Sequence, residues 1–191
     1  REYSSAASDV YKRQSKYLGR PAVLSYASYC LDNWYLIDKN KDISLDNVAL
    51  INNFLGGVDE DWFVTIHVCI EDAASEAVRS TIALVEETSE SKIEMHLKNI
   101  LGSLEKVNSI FKRMPEKCDP YIYYHRVRPY IFGWKNNPDL PKGLIYDGFY
   151  KNKPQQFRGE TGAQSSIIPL LDALFDVCLL YTSDAADEYS R

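Results

Sequence analysis

Between Trp62 and Val85 the chain is rich in alanine and sets Phe63, Ile66, Ile70, Ala73, Ala74 and Ala77 at helical spacing. A segment of that length and period fits a long helix with a buried face, so the rest of the chain must cover that face. A second amphipathic helix follows, with Ile93, Leu97, Ile100, Leu101, Leu104, Val107, Ile110 and Phe111 along one side. Ser91-x-x-Glu94 reads as the capping box at its start. Asp119-Pro120 reads as an N-cap followed by proline at the first helical position, opening a helix over Tyr121–Trp134. Pro129 lies inside it, lacks an N–H and frees the carbonyl of His125, so a kink is expected. Upstream, Pro21–Ile37 is apolar and aromatic enough for a buried helix. Asp38–Asp42 is a charged turn, and Ser44–Leu55 reads as a short helix stopped by Gly56-Gly57. Asp59-Glu60-Asp61 puts three acids where a helix N-terminus favours them. Asn136–Gly159 is a long polar connection holding Pro138, Pro141 and Pro154, and connections of that length usually have a functional reason. Gln164–Val177 resumes a helix. No period-two pattern persists and no repeat is present, so the expected fold is all-α.

The 191 residues are 45% hydrophobic and 26% charged, a globular composition. A net charge of −5, from 22 basic and 27 acidic residues, argues against a generic polyanion-binding surface and hence against a nucleic-acid partner. No apolar run is long enough to span a bilayer, and no N-terminal stretch has the layout of a signal peptide. The four cysteines, Cys30, Cys69, Cys118 and Cys178, form no C-x-x-C pair and read as reduced thiols of a cytoplasmic protein.

The two ends read differently from the middle. Codons allowed for Ser4–Gln14 have a reverse complement that, shifted by one base, encodes Cys178–Glu188. The relation continues outward to Arg1 and Arg191. Residues 1–14 and 178–191 are therefore expected to be translated transposase-adaptor DNA of the kind used in sequencing libraries. Residues 15–177 are then an internal piece of a longer protein.

Three stretches could carry chemistry. His67 shares a helix face with Phe63 and Ile70. It is either a core histidine with one hydrogen bond or a residue lining a pocket. The stretch YYHRVRPY at Tyr123–Tyr130 packs tyrosines with His125, Arg126 and Arg128. An arginine on this apolar helix either faces solvent or binds an acid, because a buried guanidinium needs a carboxylate. The glycines of FRGETGAQSS, Phe157–Ser166, precede a helix start, where exposed N–H groups and Thr161 could hold a carboxylate or amine. The plainer reading is a glycine turn capped by Ser165 or Gln164. No Walker, G-x-G-x-x-G, H-E-x-x-H or G-x-S-x-G motif is present.

Together these segments resemble the indoleamine 2,3-dioxygenase family over nearly all of Pro21–Val177. The resemblance rests on VLSYASYCLDNW at Val23–Trp34, DWFVTIHVCIEDAAS at Asp61–Ser75, YYHRVRPYIFGWKNNP at Tyr123–Pro138, GLIYDGF at Gly143–Phe149 and RGETGAQSSIIPLLD at Arg158–Asp172. It implies part of a large helical haem domain. Such a domain carries haem b, binds L-tryptophan or a related indole, and inserts both atoms of O2 across the indole double bond to give N-formylkynurenine. By the resemblance Arg128 meets the substrate carboxylate, a role suited to the guanidinium fork. Tyr123 packs on the indole, and Phe63 and Tyr26 form other pocket walls. His67 is the distal-pocket catalytic residue, at a position that is serine in some members. It resembles the distal histidine of the tryptophan 2,3-dioxygenases, which contacts the indole N–H. Thr161 and Gly162 match the loop near the substrate amine, and Gly162 and Asp172 the haem propionate side.

The family's proximal haem histidine lies downstream of Asp172, and none of His67, His96 and His125 matches it. The chain on its own is therefore expected to be an inactive fragment of a dioxygenase. Two other readings differ in class. One is a catalytically silent helical module that binds a small molecule. The other is a non-haem enzyme, which lacks a 2-His-1-carboxylate set at a convincing spacing.

Overall fold

The computed structural model describes residues 13–19, 22–159 and 162–176. Thr161, Cys178 and nearly all of the two segments read as adaptor-derived lie outside the described residues. The chain is mostly helical, as the sequence predicts. Its elements in order are a π-helical turn α1 (Ala27–Leu31), strands β1 (Trp34–Leu36) and β2 (Val48–Leu50), and helices α2 (Val58–Leu84) and α3 (Glu90–Phe111). Then come α4 (Pro120–Ile122), a π-helical turn at Tyr123–Val127, α5 (Arg128–Ile131) and, after a long connection, α6 (Ile167–Leu174).

Helix α2 is the axis of the fold, touching α1, β2, α3, the Tyr123–Val127 turn and α6. One side of it is lined with small residues. There Ser103 of α3 donates to the Ala73 carbonyl at 2.6 Å and accepts from the Ala77 N–H at 3.3 Å. The other side carries Trp62, Val64, Ile66 and Val68 into a core shared with Tyr26, Tyr29, Cys30, Val48, Cys118, Tyr123, Val127 and Ile131.

The first turn of α2 holds the most buried charge-bearing side chain among the described residues. Glu60 is fully buried. It accepts from the Tyr29 hydroxyl at 3.2 Å and from the N–H groups of Phe54, Leu55 and Gly56 at 2.8, 2.9 and 3.0 Å. The carboxylate thus closes the loop entering α2 and ties it to α1, in the helix turn where the dipole favours negative charge. Its neighbours are used too. Asp59 accepts from the Asp119 N–H at 2.7 Å, and Asp61 from Asn53 Nδ2 at 3.2 Å.

Four expectations are corrected. The helix expected over Pro21–Ile37 is reduced to the single turn at Ala27–Leu31, and the helix expected over Ser44–Leu55 is a turn and a strand. Two asparagines account for both. Asn33 Nδ2 takes the Tyr29 carbonyl at 3.1 Å, the acceptor a continuing α-helix would need, and also bonds the Asn52 carbonyl at 2.7 Å. Asn47 Nδ2 bonds the carbonyls of Asp38, Lys41 and Asp42 at 3.0, 3.2 and 3.0 Å, while its Oδ1 accepts from the Asp38 N–H at 2.8 Å. Side-chain amides thereby replace the helical ladder. The result is an antiparallel pair in which Trp34 faces Leu50 and Leu36 faces Val48, their side chains toward the core and Tyr35 outward. Third, two three-residue strands pair where no strand was read. Fourth, the capping box is displaced. The N-cap of α3 is Ser89, without a side-chain bond, and Glu87 upstream accepts from the N–H groups of Thr88 and Ser89 at 3.0 and 2.9 Å.

Asp119 is the N-cap expected, its carboxylate accepting from the N–H groups of Tyr121 and Ile122 at 2.8 and 3.1 Å.

Glu60→Ala should strand three loop N–H groups and the Tyr29 hydroxyl inside the core. A loss on the order of 3–5 kcal/mol is expected. Urea unfolding of the variant beside the parent chain measures it. A loss under about 1 kcal/mol would show that the loop does not depend on this carboxylate.

Candidate functional site

Four aromatic and imidazole rings converge between α1, α2 and the Tyr123–Val127 turn. Phe63 stacks on Tyr123 with centroids 3.9 Å apart and planes 22° from parallel. His67, one turn along α2, lies 4.2 Å from Phe63 and 6.1 Å from Tyr26, whose ring meets it edge-on at 71°. The sequence reading of Phe63 and His67 on one face is borne out, and Tyr26 and Tyr123 are both buried beside them.

His67 has a fixed polarity. Its Nδ1 lies 2.8 Å from the Phe63 carbonyl, which can only accept, so Nδ1 carries the proton. Burial pushes the imidazole below its ordinary value of 6.5, opposed more weakly by the Phe63 hydrogen bond and the charge of Glu71. The ring is therefore neutral near pH 7, and Nε2 presents a bare lone pair. Gly162 stands over that atom, since a side chain there would reach within 3.8 Å of Nε2.

The loop bearing Gly162 arrives by a close backbone contact. Gly133 pairs with Arg158, the Gly159 N–H donates to the Phe132 carbonyl at 2.9 Å, and the Trp134 N–H donates to the Phe157 carbonyl at 2.8 Å. A Cβ on Gly159 would lie 1.9 Å from the Ile131 carbonyl oxygen, so glycine is required there. The preceding connection is ordered by Tyr146, whose hydroxyl accepts from Trp134 Nε1 and donates to the Ala22 carbonyl, both at 2.7 Å. Gln164 then reaches back, accepting from the Tyr26 N–H at 2.6 Å and donating to the Gly159 carbonyl at 3.2 Å.

Arg128 is exposed. Its N–H bonds the Tyr123 carbonyl in an i to i+5 register, which stacks it one wide turn beyond Tyr123. Pro129 explains the register, because an α-helical continuation would require its missing N–H. The kink expected at Pro129 thus takes the form of a π turn. A second π turn, at Ala27–Leu31, begins beside Tyr26 and is closed by the Asp32 N–H on the Ala27 carbonyl at 2.8 Å. Asp172 is half-buried on α6, which packs along α2.

Sequence reasoning missed Glu71, which accepts from the Tyr26 hydroxyl at 2.8 Å. Its position four residues after His67 was the available signal. Gln164 was read only as a cap. The other histidines are engaged elsewhere. His96 Nδ1 lies 3.4 Å from Ser80 Oγ between α2 and α3, and His125 is exposed between the rings of Tyr121 and Tyr124. Among the described residues no group of three or more His, Cys, Asp or Glu side chains could hold a bare metal ion.

The sequence model of the family described as "Indoleamine 2,3-dioxygenase" matches residues 8–189. Indoleamine 2,3-dioxygenase 1 of Rattus norvegicus is 38% identical over 170 residues, covering 87% of this chain and 42% of that protein. The corresponding protein of Mus musculus is 37% identical over 170 residues, with the same coverage. Indoleamine 2,3-dioxygenase of Saccharomyces cerevisiae is 30% identical over 183 residues, covering 88% of this chain and 39% of that protein. The chain thus spans about two-fifths of the length of these curated relatives.

The depressed His67 pKa makes stability pH-dependent with a definite sign. The unfolded ring takes up its proton near 6.5, while the folded ring resists until lower pH. Unfolding free energy should therefore fall as pH drops below about 6.5, by up to about 1.4 kcal/mol per pH unit. Urea titrations from pH 7.5 to 5 should show this slope, and His67→Gln should remove its share. An unchanged slope in the variant would mean that His67 titrates alike in both states.

Proposed function

The chain belongs to the indoleamine 2,3-dioxygenase family, and on that premise we propose that it is part of a haem enzyme that opens the indole ring of L-tryptophan to N-formylkynurenine. The observation that carries this reading is the neutral His67 ring with Nε2 bare and Phe63 stacked on Tyr123 beside it. A flat ring bearing an N–H suits that arrangement. Its face packs on aromatic carbon and its N–H donates to Nε2.

The residues present fit one wall of a haem pocket, the substrate side. His67, with Nδ1 already bonded to the Phe63 carbonyl, serves there as an acceptor for substrate. His96 and His125 are held away from the cluster, so neither would hold the group there. Gly162 and Asp172 are the residues of this chain that would border the propionate edge. When bound, haem supplies the iron chemistry that activates O2. The chain's own residues do the rest. Phe63, Tyr123 and Tyr26 exclude water and align the indole, while His67 fixes the N–H. Arg128, one wide turn beyond Tyr123, takes the carboxylate, and Gly162 borders the amine. Because none of His67, His96 and His125 matches the family's haem histidine, the chain alone is expected to be inactive. No helix among the described residues is long and apolar enough to cross a membrane. The buried cysteines Cys30, Cys69 and Cys118 form no disulfide among the described residues, which supports a cytoplasmic setting.

In the full-length protein, Arg128→Ala should cut kcat/KM for L-tryptophan by an amount equivalent to about 2–5 kcal/mol. Turnover of tryptamine, which lacks the carboxylate, should hardly change. Steady-state kinetics on both substrates decide it, and equal losses would remove Arg128 from the carboxylate role.

A further inference from the structure

Tyr26 is gripped at both ends. Its N–H donates to Gln164 Oε1 at 2.6 Å, and its hydroxyl donates to Glu71 Oε1 at 2.8 Å. The ring is only 3% exposed. Phe63, His67 and Glu71 recur every four residues along α2 and so share one face. Two aromatic walls therefore flank His67, and they are held by different means. The Phe63–Tyr123 wall is fixed by ring stacking at 3.9 Å. The Tyr26 wall meets His67 edge-on at 6.1 Å and begins a π turn, and its bonds to Gln164 and Glu71 help to set its position. Of these the phenol–carboxylate bond is charge-assisted and the stronger kind.

Resting on the dioxygenase reading of this site, we infer that Glu71 is a positioning residue that determines which indoles fit, by holding the Tyr26 hydroxyl and so fixing the width of the slot beside His67. Glu71 itself touches no substrate. Without the bond the buried Tyr26 hydroxyl loses this acceptor and the ring shifts within its packing. An unsubstituted indole is then held less well, and a ring-substituted one meets less resistance.

The test uses the full-length haem protein and its Glu71→Gln, Glu71→Leu, Tyr26→Phe and Glu71→Leu/Tyr26→Phe variants, assayed with L-tryptophan and 5-methyltryptophan. Glu71→Leu should raise KM for L-tryptophan about tenfold, the scale of one lost hydrogen bond to a charged group, with kcat changed far less. The kcat/KM ratio of 5-methyltryptophan to L-tryptophan should rise. Glu71→Gln, which keeps an acceptor without the charge, should restore most of the parent behaviour. Tyr26→Phe should reproduce Glu71→Leu, and the double variant should be no worse than either.

Three results would overturn the inference: Glu71→Gln behaving like Glu71→Leu, multiplicative losses in the double variant, or a fall in kcat alike for both substrates. Failure of the parent protein to oxidise L-tryptophan would instead sink the enzyme reading. The hold on Tyr26 is still read in that event, from urea stability of the same full-length variants. Non-additive losses support it and additive ones overturn it.

Discussion

The backbone contact between Gly133 and Gly159 is the constraint on which the site depends. A Cβ on Gly159 would sit 1.9 Å from the Ile131 carbonyl oxygen, and one on Gly133 would sit 2.3 Å from the Gly159 nitrogen. Only two glycines let the end of α5 and the returning chain approach so closely. The Gly159 N–H on the Phe132 carbonyl holds the contact. From there the chain needs only three residues to bring Gly162 over His67 and two more for Gln164 to reach the Tyr26 N–H. A contact without side chains thus joins three parts of the sequence around one imidazole.

The second constraint is helical register. Both π turns lie at the site, one starting beside Tyr26 and the other spanning Tyr123–Val127. Wide turns of this kind interrupt the ladder at a cost and recur at functional positions. Here each has a local cause. Asn33 occupies the Tyr29 carbonyl below the first, and Pro129 withholds an N–H above the second. Their effect is to turn Tyr26 and Tyr123 toward α2 while leaving Arg128 at the open edge. His67, straight on an unbroken helix, supplies the fixed reference between them.

The parts of this arrangement legible in the sequence are those set by periodic burial or by a single capping residue. Helices α2 and α3, the Asp119 cap, and the shared face of Phe63 and His67 all follow from spacing. The β1–β2 pair was hidden because Asn33 and Asn47 hold it through side-chain amides, which leave no periodic trace in an apolar aromatic stretch. The apparent capping box was misplaced because α3 starts two residues earlier, at Ser89, where Glu87 takes the N–H groups of Thr88 and Ser89. Glu71 was overlooked because its partner, Tyr26, is 45 residues away in sequence and meets it only after folding. The return of the long connection was invisible for a related reason. It is held by main-chain bonds at glycines and by the Tyr146 hydroxyl, not by an apolar pattern.

We propose that the neutral His67 over the stacked Phe63–Tyr123 pair forms the substrate wall of a tryptophan-opening dioxygenase. It is tested most directly by isotope labelling. The full-length protein is given L-tryptophan under oxygen-18 gas, and the product is weighed by mass spectrometry. The account predicts N-formylkynurenine carrying two heavy oxygen atoms. A product with one heavy atom or none, or no product at all, would contradict it.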